Sequence, residues 1–330
     1  MNFWVRFIST SIPLGVPLLY GSTGEIITEK SGHLNLGIPG IMYVGAISGV
    51  IGAFLYENAC GTKEAMLPVL AIMIPLLCAI AGSVLMGLIY SFLTVTLRAN
   101  QNVTGLALTT FGIGIGNFFG GSLIKLVDSD MPSIILTKTS SFFCVKLPFA
   151  KDLGWFGELF LNYDFLTYAS VIIAIAASFV LNRTRIGLNL RSIGESPATA
   201  DAAGINVTRY KYLATCIGSA VAGLGGLQYV MAYANGVWSN NAFGDRGWMA
   251  IALVIFALWK PTMAIFGSFL FGMLCNAHNY IPGLGHATKE LFKMLPYVVT
   301  ILVLIVTSMR NKRENQPPAS LGLSYFREER

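Results

Sequence analysis

Two groups of residues in this 330-residue chain have types and spacing that could do chemistry. The first group is polar and uncharged. Asn35 and Gly37 lie in Gly24–Gly40, GEIITEKSGHLNLGIPG; Asn100, Gln101 and Thr104 lie in RANQNVT; Trp248 closes Phe243–Trp248, FGDRGW. Together they offer donors, acceptors and an aromatic face without net charge, which suits a neutral polyhydroxy or heterocyclic solute. The plainer readings are a re-entrant turn, a cytoplasmic turn and an interfacial tryptophan, with Asp245 and Arg246 pairing locally. The second group is Arg183–Tyr212, RTRIGLNLRSIGESPATADAAGINVTRYKY, with five basic and two acidic residues between long charge-free runs. Catalytic patterns are missing from the sequence. It has no G-x-x-x-x-G-K-[ST], no H-E-x-x-H, no acid/His cluster and no convergent nucleophile and base. His33, His278 and His286 are far apart, and His286 with Glu290 reads as surface polarity. Cys60, Cys78, Cys144, Cys216 and Cys275 show no C-x-x-C spacing and read as free thiols, mostly buried.

The elements that must position these residues are membrane spans. The chain is 54% hydrophobic and 12% charged, against about 25% charged in soluble proteins. Its net charge of +6 is scattered or gathered beside apolar runs, and does not point to nucleic acid. Charge-free runs cover 7–24, 31–56, 65–97, 99–124, 165–182, 212–244, 247–259, 261–288 and 294–309. At about 20 residues per span, this predicts an all-α, polytopic helical bundle of about 8–10 transmembrane helices, some re-entrant or broken. Run 65–97 is either one tilted helix or a helix plus a re-entrant piece, and run 247–259 is too short to cross by itself. The start, Met1 to Gly24, resembles a signal peptide but reads better as a first span. Basic residues place 183–212 and the tail 310–330, with Arg310, Lys312 and Arg313, in the cytoplasm. Segment 125–164 then lies outside, with interfacial aromatics in FFCVKLPFAKDLGWFGELF. Segment 24–37 is either a loop or a broken helix, so the side of the N-terminus stays open. Glu25, Glu29 and Lys30 are the only charges close to a membrane interior, fewer than an ion-coupled carrier needs. Gly45/Gly49/Ala53, Gly112/Gly116/Gly120 and Gly218/Ala222/Gly226 each place small residues on one helical face, for close helix packing.

Within the basic segment, Gly194 is expected to break structure. Ser196 suits an N-cap and Pro197 the first helical position. Ala198 to Ala203, including Ala200 and Asp201, favour helix, and Gly204 is a natural stop. The result is a short helix outside the membrane, almost bare of bulky side chains and shaped for a groove in another protein.

Four motifs, in order, give the chain a family resemblance. They are G-x-L-N-L-G at Gly32–Gly37, L-R-A-N-Q-x-V-x-G-L-A-L-T at Leu97–Thr109, G-E-S-P-x-x-A-x-x-A-G-I at Gly194–Ile205 and G-x-x-G-W-x-A-I-A-L-V-I-F-A at Gly244–Ala257. From Glu25 to about Met309 the chain resembles the permease subunit of bacterial ABC importers in the branched-chain amino acid/simple-sugar superfamily. It is most similar to the nucleoside branch, which works with a basic-membrane-protein-type lipoprotein. Pro39 stands where many relatives carry an acid. The resemblance implies a type II importer-like fold, with one permease domain over 1–309 in the bacterial cytoplasmic (inner) membrane. It also implies a second permease, as a heterodimer or a homodimer, a cytoplasmic ATPase with two nucleotide-binding cassettes holding ATP and Mg, and an extracytoplasmic solute-binding lipoprotein. No catalytic residue, metal or cofactor is expected in this chain itself. Gly194, Glu195, Ser196, Pro197, Ala200, Asp201, Ala203 and Gly204 become the coupling segment that meets the ATPase. Asn35, Gly37, Asn100, Gln101, Thr104 and Trp248 are the pathway candidates. Nucleosides are the first expectation for the solute, with simple sugars or riboflavin as alternatives. A stand-alone ion-coupled secondary transporter is the rival of another class.

Overall fold

The computed structural model describes residues 3–126, 133–146, 154–281, 283, 285–310 and 316–326. The expected tail cations Lys312 and Arg313, and the middle of the aromatic stretch at 147–153, lie outside them. The charge-free runs fold into α1 (Phe3–Glu29), α2 (Ile38–Cys60), α3 (Pro68–Ser91) and α4 (Gln101–Leu126). After α5 (Thr137–Phe143) and α6 (Gly154–Phe160) come α7 (Phe165–Arg183), α8 (Arg185–Glu195), α9 (Pro197–Ala202) and α10 (Val207–Gln228). The chain closes with α11 (Arg246–Phe256), α12 (Pro261–Ala277), α13 (His286–Lys293) and α14 (Leu295–Arg310). Six helices are long and apolar enough to cross a membrane, namely α1, α2, α3, α4, α7 and α10. α11, α12 and the 16-residue α14 are shorter apolar helices. At 1.5 Å per residue, α11 is only about 16 Å long, roughly half a bilayer core. The chain enters it from a non-helical stretch.

The core is built on close backbone crossings, because lipid supplies no hydrophobic drive between spans and van der Waals contact must do the work. A Cβ on Gly24 of α1 would lie 2.2 Å from the Gly218 carbonyl oxygen of α10, and one on Gly45 of α2 would lie 2.6 Å from Gly223. Gly112 of α4 meets the Gly40 backbone in the same way. The three small-residue faces therefore pack as expected. α1 and α12 run antiparallel, with Gly15 on Ser268 and Gly272 on Ser11. The start of α1 thus lies at the end of the bundle opposite the basic segment, while its other end touches that segment through Lys30 and Gly194.

Several expectations need correction. Of the two readings of run 65–97 the single helix holds, over Pro68–Ser91 with a π-turn at Phe92–Thr96, whereas run 212–244 is helical only to the π-turn at Tyr229–Tyr233. The break in segment 24–37 is confined to 30–37. α1 stays helical to Glu29, and Pro39 and Gly40 belong to the first turn of α2, where proline's missing N–H costs nothing. The all-α class acquires one small exception. β1 (Ser133–Ile135) and β2 (Val237–Ser239) pair antiparallel, Ile134 opposite Trp238. Three-residue strands leave no periodic trace in a sequence. The five cysteines are free, but half-buried rather than buried. Asp245 and Arg246 form no ion pair among the described residues. Arg246 instead donates to the Phe243 carbonyl at 2.8 Å and stacks 4.3 Å from the Tyr229 ring.

Candidate functional site

α9 forms where the sequence places it. The Ser196 hydroxyl accepts from the Thr199 N–H at 3.4 Å, Pro197 occupies the first turn, and Gly204 takes φ +82°, the left-handed region that glycine enters without penalty. Ala200 is buried with Ile193 and Val207, which fixes the helix to the bundle by its inner side. Glu195, Ala203 and Gly204 are exposed; Ser196, Pro197 and Asp201 are half-exposed. Gly194 does not break structure. It is buried in the last turn of α8, an amphipathic helix capped by Thr184 and burying Gly187, Leu190, Ile193 and Gly194. That 3.6-residue spacing is visible in the sequence and was the signal for the missed helix.

The tail is more than a polar extension. Residues 316–326 fold back over the basic end as a strap. Ser320 donates its N–H to the Gly194 carbonyl at 2.9 Å and its hydroxyl to the same oxygen at 2.6 Å. The Tyr325 hydroxyl donates to Asp201 Oδ2 at 2.8 Å, Gly322 N–H reaches the Gly32 carbonyl, and Arg98 stacks on Phe326 at 4.8 Å. The strap ties α9, the 30–37 loop and the turn before α4 into one unit.

That loop sits on buried polar chemistry. Glu25 Oε1 accepts from the Asn35 N–H at 2.9 Å, and Glu29 Oε2 accepts from the Trp259 indole. Tyr90 donates to the Leu34 carbonyl, and His33 Nδ1 lies 3.2 Å from the Thr215 hydroxyl. Glu25, Glu29, His33 and Lys211 are all at least 97% buried. The reading of a bundle almost free of interior ionisable groups is therefore wrong. Glu25 and Glu29 read as loop residues because their charges point to an earlier end for α1, which stays helical to Glu29. Burial, reinforced by the Lys211 charge, pushes the His33 imidazole down to about 3, so it is neutral at pH 7.

The expected pathway residues fall into different roles. Asn35 Oδ1 accepts from the Gly37 N–H at 2.9 Å, while Asn35 Nδ2 is buried without a partner. Gln101 accepts from the Leu34 N–H at 2.8 Å and donates to the Leu323 carbonyl at 3.2 Å, so both ends of its amide are used inside the protein. Asn100 is exposed and caps α4 through the Val103 N–H; Thr104 is buried one turn on. Asn35, Gly37 and Gln101 thus meet around one loop, and Trp248, half-buried on α11, is not part of that group. Pro39 is buried against Gly247 of α11, whose Cβ would lie 2.4 Å from it.

A second uncharged cluster was missed. The Tyr43 hydroxyl donates to Asn117 Oδ1 at 2.5 Å and accepts from the Asn241 N–H at 2.9 Å. Asn117 Nδ2 donates to Asn241 Oδ1 at 3.0 Å. The Trp238 ring stands edge-on to Tyr43 at 5.2 Å, and Tyr229 packs against Phe243. Asn240 and Asn241 face outward, beside the α4 glycines, and the Trp238 indole N–H is buried without a partner. The sequence clue was the pair Asn240-Asn241 just before the FGDRGW stretch, with Asn117 on the Gly112/Gly116/Gly120 helix.

A polytopic helical bundle with uncharged polar and aromatic clusters and a capped, small-residue helix at its basic end is a transport permease in form. The family model described as "Branched-chain amino acid transport system / permease component" matches residues 7–304, and the chain belongs to that family. It is an ABC transporter permease subunit and a multi-pass membrane protein. It is similar to the nucleoside ABC transporter permease protein NupC of Lactococcus lactis subsp. cremoris, 31% identical over 90% of each chain. It is similar also to the "Putative glucose ABC transporter permease protein TsgC13" of Haloferax volcanii, 28% identical over 99% of each chain. The guanosine ABC transporter permease protein NupQ of Bacillus subtilis is 28% identical over 91% of this chain and 92% of its own.

Proposed function

We propose that this chain forms half of the translocation pore of an ATP-driven importer for a small neutral solute, nucleosides first. The observation that carries the reading is α9. It is capped, short and free of bulky side chains, and it is anchored to the bundle by Ala200, while the flanking Glu195, Ala203 and Gly204 are exposed. A helix of that kind is a socket piece for a partner that moves. In this reading the partner is a cytoplasmic ATPase with two cassettes, which holds ATP and Mg and hydrolyses the nucleotide. A second permease completes the pore, an extracytoplasmic lipoprotein delivers solute, and the site is a bacterial inner membrane with the basic end inward. The Tyr43/Asn117/Asn241 cluster and the aromatic rings around it supply neutral hydrogen bonding and stacking, the two interactions a nucleobase and ribose present. The names of NupC and NupQ favour nucleosides; that of TsgC13 favours a sugar, which lacks the base to stack.

The test is uptake of labelled guanosine, uridine and glucose in cells carrying the complete transporter. Uptake of a nucleoside that needs ATP and survives a protonophore supports the proposal. Uptake that stops with the protonophore while ATP stays high contradicts it, and glucose uptake alone moves the assignment to sugars.

A further inference from the structure

A cavity of about 600 Å³ opens at the basic end between α9, the first turns of α10, the turn at Thr94–Arg98 and the strap. Three cations line it, Arg98, Arg209 and Lys211, and one acid, Asp201, whose Oδ2 already accepts from Tyr325. Lys211 is 97% buried. Among the described residues it has neither a hydrogen-bond acceptor nor an ion-pair partner. Its stem is buried while the residue lines the cavity, so its ammonium offers a positive charge to an anion held there. The cavity also holds the N-terminus of α10, a 22-residue helix. Asn206 caps the Arg209 N–H at 2.9 Å, which leaves the first-turn amides of Val207 and Thr208 with no intrahelical acceptor. Helix N-terminus, buried lysine and two arginines converge on one space, and that combination selects a compact oxyanion.

We infer that this cavity is a phosphate-binding site, distinct from the solute path, that holds the phosphate group of an anionic lipid headgroup or of a soluble phosphate ester. A carboxylate fits less well, since it is planar and offers two oxygens, whereas the arginine forks and helix amides together suit a tetrahedral oxyanion. Because α9 and the strap form two of its walls, bound phosphate would brace α9 against the bundle.

The experiment uses the purified full-length transporter complex in two arms. In detergent, inorganic phosphate and glycerol 3-phosphate are titrated while thermal unfolding is followed. In nanodiscs, phosphatidylcholine alone is compared with phosphatidylcholine plus phosphatidylglycerol. Lys211→Met keeps the buried stem and removes the charge; Arg209→Gln alters an exposed side chain that plays no part in the strap and guards against a folding defect. The expected result is a rise in melting temperature in at least one arm, weakened about tenfold or more in apparent affinity by either variant, the loss of one charge-assisted contact. A response in detergent assigns a soluble phosphate; a response confined to phosphatidylglycerol nanodiscs assigns a lipid headgroup. No response in either arm, or a response equal in wild type and both variants, overturns the site.

Discussion

Gly194 and Gly204 bracket α9 and should fail for different reasons when given a methyl group. Gly194 has ordinary helical backbone, but a Cβ there would lie 2.4 Å from the Lys30 carbonyl oxygen and 3.2 Å from Pro318. The Lys30 loop would have to retreat by close to 1 Å, against the strap bonds that Ser320 makes to the Gly194 carbonyl. Overpacking of this kind costs about 1–3 kcal/mol, offset by about 1 kcal/mol of helix propensity gained over glycine. Gly194→Ala should therefore lose up to about 2 kcal/mol locally, a factor of about 30 in the population of the docked arrangement. At Gly204 nothing lies within 4 Å, so Gly204→Ala pays only the left-handed backbone, about 1–2 kcal/mol. Asparagine tolerates that backbone, so Gly204→Asn should recover most of the loss. Gly61 is the control: φ +71°, open space, opposite end of the bundle. The assay is ATP-driven uptake per folded complex, alongside ATPase rate. Gly194→Ala and Gly204→Ala should hydrolyse ATP with little uptake, while Gly61→Ala should transport normally. Equal uptake by all three alanine variants would refute the reasoning.

Three further outcomes follow from the geometry. Tyr43→Phe removes the hydroxyl that joins Asn117 and Asn241, two bonds of about 1 kcal/mol each; nucleoside uptake should fall about tenfold or more with assembly intact, and unchanged kinetics would remove the cluster from the path. Gln101→Ala leaves the Leu34 N–H without its acceptor and frees the strap at Leu323, costing about 1–3 kcal/mol of stability; melting temperature should drop while KM for solute stays constant, and a raised KM would restore Gln101 as a solute contact. His33 stays neutral in the fold to about pH 3 but protonates near 6.5 when unfolded. Its folded pKa is depressed, so stability is full above 6.5 and is lost as pH falls, by about 1.4 kcal/mol at pH 5.5. A melting-temperature profile between pH 5 and 8 should flatten in His33→Gln, and an identical slope in both proteins would count against the buried imidazole.

What could be read in the chain before its structure follows physical rules. Spans were legible because twenty uncharged residues have one home, a bilayer. Ser196, Pro197 and Gly204 were legible because caps act over three or four residues. Glu25 and Glu29 were misplaced because nothing local says that a helix ending in charge can stay buried; the partners that allow it, Asn35 and Trp259, come from the next loop and from 230 residues away. The strap, Ser320 on Gly194 and Tyr325 on Asp201, joins residues more than 120 positions apart and has no signature of its own. Gln101 shows the limit most clearly. Its type suggested solute binding, and its neighbours turned it into a brace.

The central claim, that α9 receives the ATPase, is best tested by cross-linking from a single cysteine at Ala203, with the five native cysteines replaced. A bifunctional thiol reagent should join Ala203→Cys to one face of the ATPase, and ATP with vanadate should change the yield. A cysteine at Leu55, exposed at the opposite end of the bundle, should give no such product. If Ala203→Cys fails to cross-link in a complex that still transports, or if Leu55→Cys cross-links equally well, the account is contradicted.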